Sequence, residues 1–229
     1  MIKIITDSLP DMPTSASGVR ISSLYESYGC KYNFLRFYMQ TIDNKCAAII
    51  SVMDGQASVC KVGNTDDGEI LRFISVIGAN TLYAEYDLPL ETIESGRIMH
   101  KISRVKTDMN ETIDFKRVYS IMSTAFSMPD FSIWYPDISH RVRHGCAKVI
   151  DESYGCAVAL KSRLGALITG ICVTENECRK GCGSRILNNL TATLQADDIF
   201  ALVENSGPIN FYETNGFSMA GKFGTYKVK

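Results

Sequence analysis

Residues 167–187 constrain the fold of this chain more tightly than any other stretch. An apolar, β-branched run ends near Thr174, a short polar turn follows, and Gly181 and Gly183 precede a helical pattern that starts at Ser184. A strand that passes through glycines into a helix calls for helices layered on a sheet, an α/β arrangement. The stretch also has chemical content. Glycines let backbone N–H groups approach a ligand without side chains in the way, and a helix start adds unpaired donors and the positive end of its dipole. That combination suits a pyrophosphate, and Arg179 and Lys180 add charge beside it.

The rest of the chain alternates in the same manner. The first half predicts a helix over 21–28, strands over 34–40, 46–53 and 57–62, a helix over 67–77 stopped by Gly78, and a strand over 80–86. Asp54-Gly55 is the strongest hairpin signal in the chain. Residues 87–112 are more polar and read as a strand-and-linker region. The second half predicts helices over 114–126, with Asp114 as cap, and over 134–144. Strands follow over 146–151, 156–161 and 164–174, then a helix over 184–194, a strand over 199–204, a short helix over 209–215 and a closing pair of strands over 217–228. The two halves share a rough order of helix, hairpin, helix and strand, which predicts two related units.

With 229 residues, 45% hydrophobic and 21% charged, the chain has the profile of a globular protein with a sizeable core. A net charge of −1 gives no electrostatic reason to expect nucleic acid or an anionic membrane as a partner. No segment approaches the roughly 18–20 consecutive apolar residues of a membrane span. The N-terminal apolar run is short and broken by Asp7 and Pro10, so it does not read as a secretory signal. A cytoplasmic location is therefore expected, with the eight cysteines as free thiols and no glycosylation at the Asn110 and Asn189 triplets.

Several phosphate loops can be separated. A Walker loop requires GxxxxGK followed by Ser or Thr, which is absent, and a dinucleotide fingerprint would place its third glycine at Ile186. Lys180-Gly181-Cys182-Gly183-Ser184 instead resembles the coenzyme A loop of the GNAT acetyltransferase superfamily. That loop reads arginine or glutamine, two free positions, glycine, one free position, and glycine or alanine. Cys178 stands at the first position, and Arg179 follows one place later. Further on, Asn205, the pair Phe211-Tyr212 and the pair Gly216-Phe217 resemble the family's second signature, an asparagine after a strand followed by a helix. The resemblance covers residues 114–229. The first half looks like a degenerate unit of the same family, through Phe34 to Tyr38 and the Asp54-Gly55 hairpin, but has no glycine-rich loop before a helix.

The resemblance implies a mixed, mostly antiparallel central sheet flanked by helices, in two tandem units dividing at 1–110 and 111–229. It implies acetyl-CoA as co-substrate, without a metal, and N-acetyl transfer to a small-molecule or peptide amine. The pantetheine arm would enter between splayed strands, along Ile171, Cys172 and Val173 and opposite 200–203, with the diphosphate on Cys178, Arg179, Lys180, Gly181, Cys182, Gly183 and Ser184, and Asn205 nearby. Gly170 fits a bulge or a packing contact.

Transfer to an amine requires a neutral nucleophile, donors for the oxyanion and a proton for the leaving thiolate. Tyr212 matches the family's general acid and also reads as a core aromatic. Glu175 and Glu204, at the ends of the two splayed strands, are candidate bases and equally read as solvated carboxylates. Cys172, Cys178 and Cys182 have no histidine near them in sequence, which favours direct transfer over an acyl-cysteine. His140 and His144 have metal-pair spacing, but with Arg141 and Arg143 between them they read as a basic helix face. Trp134 and Tyr135 are candidates for an acceptor pocket or for core. The second reading of the whole is a non-catalytic module of the same fold that holds coenzyme A or a partner. Oligomeric state and acceptor identity are not written in these residues.

Overall fold

The computed structural model describes residues 1–104, 107 and 112–228. The expected division between residues 110 and 111, and the Asn110 triplet, lie outside the described residues. Among the described residues, no helix is long and apolar enough to cross a membrane.

The first half runs β1 (Ile2–Ile5), α1 (Ala16–Tyr28), β2 (Leu35–Ile42), β3 (Lys45–Met53), β4 (Gln56–Lys61), α2 (Asp67–Val76), β5 (Thr81–Ala84) and β6 (Thr92–Ile102). The second runs α3 (Phe115–Met122), α4 (Phe131–Arg143), β7 (Ala147–Glu152), β8 (Gly155–Ser162), β9 (Gly165–Val173), α5 (Cys182–Thr193), β10 (Asp198–Glu204), α6 (Ile209–Thr214) and β11 (Ser218–Lys227). Among the described residues, eleven strands form one sheet in the order β1-β2-β3-β4-β5-β11-β6-β10-β9-β8-β7, in which only the β4–β5 and β9–β10 pairs are parallel.

Apart from the edge strand β1, the order is symmetric about the central pair β11 and β6. Strands β2 to β5 on one side are mirrored by β7 to β10 on the other. The two central strands are exchanged: β5 pairs with β11 from the chain's end, whereas β10 pairs with β6 from the first half. The two units are thus knitted through four antiparallel strands.

This exchange sharpens one expectation, the strand-and-linker reading of 87–112, and corrects another. The polar region 87–112 contains an 11-residue strand, β6, at the middle of the sheet. Its buried residues Gly96, Ile98 and Met99 are interleaved with exposed Glu94 and Arg97, so its composition conceals its position. Gly96 is required there, because a Cβ would lie 2.1 Å from the Val203 carbonyl oxygen. The closing strand pair is one strand, β11, with a register shift between Met219 and Gly221, and it spans both units instead of folding back.

Helix α1 begins five positions before the predicted 21–28. Its first turn, Ala16, Ser17 and Gly18, carries no apolar periodicity because it is buried on all sides, packed against β4, β8 and β9. Only small residues fit there, and a Cβ on Gly18 would lie 2.4 Å from the Pro13 carbonyl oxygen. The Asp54-Gly55 turn has both residues at positive φ, 49° and 76°, the geometry a tight hairpin demands. The predicted 134–144 helix starts earlier, at Phe131, and is longer than α3.

Candidate active site

Strands β9 and β10 pair over Ala166–Ile199, Leu167–Phe200 and Ile168–Ala201, and there the pairing stops. Past that point β9 stays with β8, and β10 stays with β6 to its last residue, Glu204. The sheet therefore forks. A bulge marks the start: Ala159 faces Ile168 and Val158 faces Gly170, leaving Thr169 unpaired in the register, with its hydroxyl donating to the Val158 carbonyl. The bulge lies one residue before Gly170. That glycine serves packing, because a Cβ there would lie 2.3 Å from the Met122 methyl carbon.

The β9 branch of the fork carries Ile171, Cys172 and Val173. Ile171 and Val173 pack toward α5 and α6, while Cys172 is buried against α3 and donates to the Ile121 carbonyl at 3.3 Å. Cys172 is a packing residue on the far face. Beyond Thr174 comes a single 3-10 turn, Glu175–Glu177, which keeps Glu175 exposed on the loop.

The loop then turns sharply. Arg179 adopts a left-handed conformation at φ 60°, and Gly181 follows at φ 80° as the N-cap of α5. No side chain caps this helix. A Cβ on Gly181 would meet nothing within 4 Å, so that glycine serves backbone conformation. Gly183 serves proximity, since a Cβ there would lie 3.3 Å from the Phe211 ring. Cys182 is buried and staples the loop through Glu177 at 3.8 Å and Arg185 at 3.1 Å. Cys178 is exposed. Lys180 pairs loosely with Glu177 at 3.4 Å, and Arg179 is exposed. Arg185 adds a third cation to the first turn, lying over the Tyr154 ring at 4.7 Å. Sequence reading missed Arg185, although it stands one place past the motif.

Helix α6 brings Tyr212 to the same region. Its ring is buried edge-on to Phe211 and Phe217 among residues of α5 and β10. Burial pushes its phenol up to about 12, so it holds its proton at neutral pH. Asn215 donates to the Ser184 hydroxyl at 3.1 Å and ties the end of α6 to the start of α5. Asn205 is turned away from the fork, donating to the Ser95 hydroxyl on β6 at 3.0 Å. Glu204 ends β10 opposite Gly96. Glu94 of β6, exposed yet partly desolvated, has its pKa raised by that desolvation and by the Glu204 charge. Glu94 went unnoticed in the sequence because it lies in the polar stretch read as strand and linker.

Among the described residues, no cluster of three or more His, Cys, Asp and Glu is arranged to hold a metal. His140 stacks on Tyr28 at 4.6 Å and contacts the Ser27 carbonyl oxygen, so its ring is part of the packing between α1 and α4.

No family profile and no curated protein matches the sequence. Solved structures do. The chain superposes over 100% of its length on 96% of a GCN5-related N-acetyltransferase from Sphaerobacter thermophilus, with TM-score 0.60 and 10% identity. A GCN5-related N-acetyltransferase from Kribbella flavida matches at TM-score 0.59 and 9% identity, over 93% of this chain and 95% of the other. A tandem GNAT protein from the clavulanic acid biosynthesis pathway matches at TM-score 0.53 and 12% identity, over 95% and 90%. The chain has a two-unit GNAT fold. Both halves of the chain lie within the superposed length of these matches.

Proposed function

We propose that the protein is an N-acyltransferase that moves an acetyl group from acetyl-CoA to a primary amine by direct transfer at the β9–β10 fork. The observation that carries this reading is the halt in pairing after Ile168 and Ala201, next to a glycine loop that enters an uncapped helix. The β10-facing edge of β9 beyond Ile168 is left to pair with the amides of an extended arm. The N–H groups at the start of α5, with Arg179, Lys180 and Arg185 around them, suit a diphosphate.

Acetyl-CoA supplies an acyl group already activated as a thioester. The protein's part is to position it, to accept a proton from the amine and to deliver one to the departing sulfur. Tyr212, with its proton firmly held, is the donor. Glu204, at the end of β10, is a candidate base, and Glu94, whose pKa is raised by partial desolvation and by the Glu204 charge, is a second. Glu175, out on the loop, is the weaker candidate.

The test has two stages. Acetyl-CoA should raise the melting temperature, and a panel of primary amines should then release free coenzyme A, followed by chromatography because exposed Cys178 reacts with thiol reagents. Stabilisation by ATP or NAD and not by acetyl-CoA would sink the assignment. Stabilisation by acetyl-CoA without release of coenzyme A with any amine would leave a non-catalytic binding module.

A further inference from the structure

Two side chains from α3 and the turn after it reach the base of the fork. A Cβ at Gly170, two residues past the last β9–β10 pair, would lie 2.3 Å from the Met122 methyl carbon and 3.4 Å from both the Met122 sulfur and the Phe126 ring. The end of Met122 thus occupies the room that a side chain at position 170 would take. Met122 is 4% exposed, whereas Phe126 is 39% exposed at the rim.

This wall is fixed to the fork itself. The Cys172 thiol on the β9 branch donates to the Ile121 carbonyl at 3.3 Å, and the Cys156 thiol on β8 donates to the Val118 carbonyl at 3.8 Å. From its outer side α3 is held by Tyr119, whose ring packs on Phe131 and Trp134 of α4 at 5.2 and 5.5 Å. The other face of the fork is already full, because Ile171 and Val203 pack there with Ile186, Leu187 and Tyr212. Thr169, in the bulge at the base, is exposed although β9 is an interior strand, so the base is open to solvent.

We infer that Met122 and Phe126 set the length of the acyl group, admitting acetyl and rejecting chains of four carbons or more. The inference rests on the acetyl-transfer reading of the fork. An arm whose diphosphate sits on the loop after β9 runs down the free edge from Val173 toward Ile168, about 17 Å at the rise of a strand. Its thioester end then lies beside Thr169 and Gly170. The acyl chain finds α5 and α6 packed on one face and turns to the other, where Met122 and Phe126 stand. A methionine end deforms enough to pass a methyl group, but α3 is tied to both β8 and β9 and does not retreat to pass a longer chain.

The test is calorimetric titration of the wild-type protein, Met122→Ala and Phe126→Ala with coenzyme A, acetyl-CoA, butyryl-CoA and hexanoyl-CoA. The wild type should bind the first two alike and the two longer thioesters at least about tenfold more weakly. Met122→Ala should bring hexanoyl-CoA to within about threefold of acetyl-CoA, and Phe126→Ala should act in the same direction by less. A purely structural role would move all four affinities together and leave their ratios alone. Should Met122→Ala fail to fold by circular dichroism, Phe126→Ala, at the open rim, decides the question. Hexanoyl-CoA binding the wild type as tightly as acetyl-CoA, or unchanged ratios in the folded variants, would overturn the gate and leave the transfer reading standing. No binding of any of the four would sink the transfer reading and the gate with it.

Discussion

The sheet forks twice, and the two forks differ in what fills them. In the first unit, β4 and β5 pair over Gln56–Thr81, Ala57–Leu82 and Ser58–Tyr83 and then part, as β9 and β10 do in the second. The first fork is closed. Lys61, at the end of β4, lies over the Tyr86 ring at 3.4 Å and reaches Asp67 at 3.0 Å. Ser15 and Ser17, from the start of α1, approach Cys60 and Glu85 on the two branches, with the Ser17 N–H donating to the Glu85 carboxylate. The adjoining helix α2 is capped by Asp66 and carries Asp67 and Glu69 in its first turn. That terminus repels an anion, whereas α5 is uncapped and has cations around it. Shared topology makes a fork in each unit, and the residues at its mouth decide whether a ligand enters.

The sharpest way to break the comparison acts on the second fork. Tyr212→Phe removes a hydroxyl and little packing, so we expect kcat to fall by about 10²–10⁴ while acetyl-CoA affinity holds. An unchanged kcat, with the phenol gone, would leave Tyr212 a core aromatic. Next in size is Gly183→Val. Its Cβ meets Phe211 at 3.3 Å and its added methyls push α6 off α5, so acetyl-CoA affinity should weaken by about tenfold or more. Titration by calorimetry reads it, and an unaltered affinity would place the ligand elsewhere.

The contrast also separates what was legible in the sequence from what was not. Patterns carried by neighbours in the chain were legible. The glycine loop, the Phe211-Tyr212 helix, the Asp114 cap and the Asp54-Gly55 turn each depend on local backbone demands, and the structure places them where those demands predict. The strand exchange was not legible, because β6 owes its central place to pairing with β10 and β11, roughly 100–130 residues away in sequence. With β6 hidden, Glu94 was hidden too. Helix α1 was under-read because burial on every side selects small residues, not a stripe of apolar ones. Cys172, Asn205 and Gly170 fell near the site, but the directions of their side chains and contacts depend on α3 and β6, which sequence spacing does not reveal.

A smaller effect tests the first fork's helix. Asp66→Ala deletes the acceptor for the Glu69 N–H, so stability should drop by about 1 kcal/mol, or roughly 2–4 °C in melting temperature. Acetyl-CoA affinity should not move. A loss of affinity there would mean that the first fork takes part in binding.

The smallest expected effect concerns the carboxylate that plugs the first fork. Burial raises the Glu85 pKa, an effect opposed in part by the hydrogen bonds from Ser17. The native protein therefore holds a proton that the unfolded chain releases at about pH 4.3. Glu85's contribution to stability is then full below that value and is lost as the pH rises through the raised native pKa. Glu85→Gln stays neutral throughout and still offers the Ser17 N–H an acceptor. Its melting temperature should match the wild type near pH 4 and exceed it by a few degrees at most near pH 8. A wild-type advantage at pH 8 would mean that Ser15 and Ser17 hold the ionised carboxylate better than burial disfavours it. The first fork would then be polar in character, and its contrast with the second would rest on occlusion by Lys61 and Tyr86 alone.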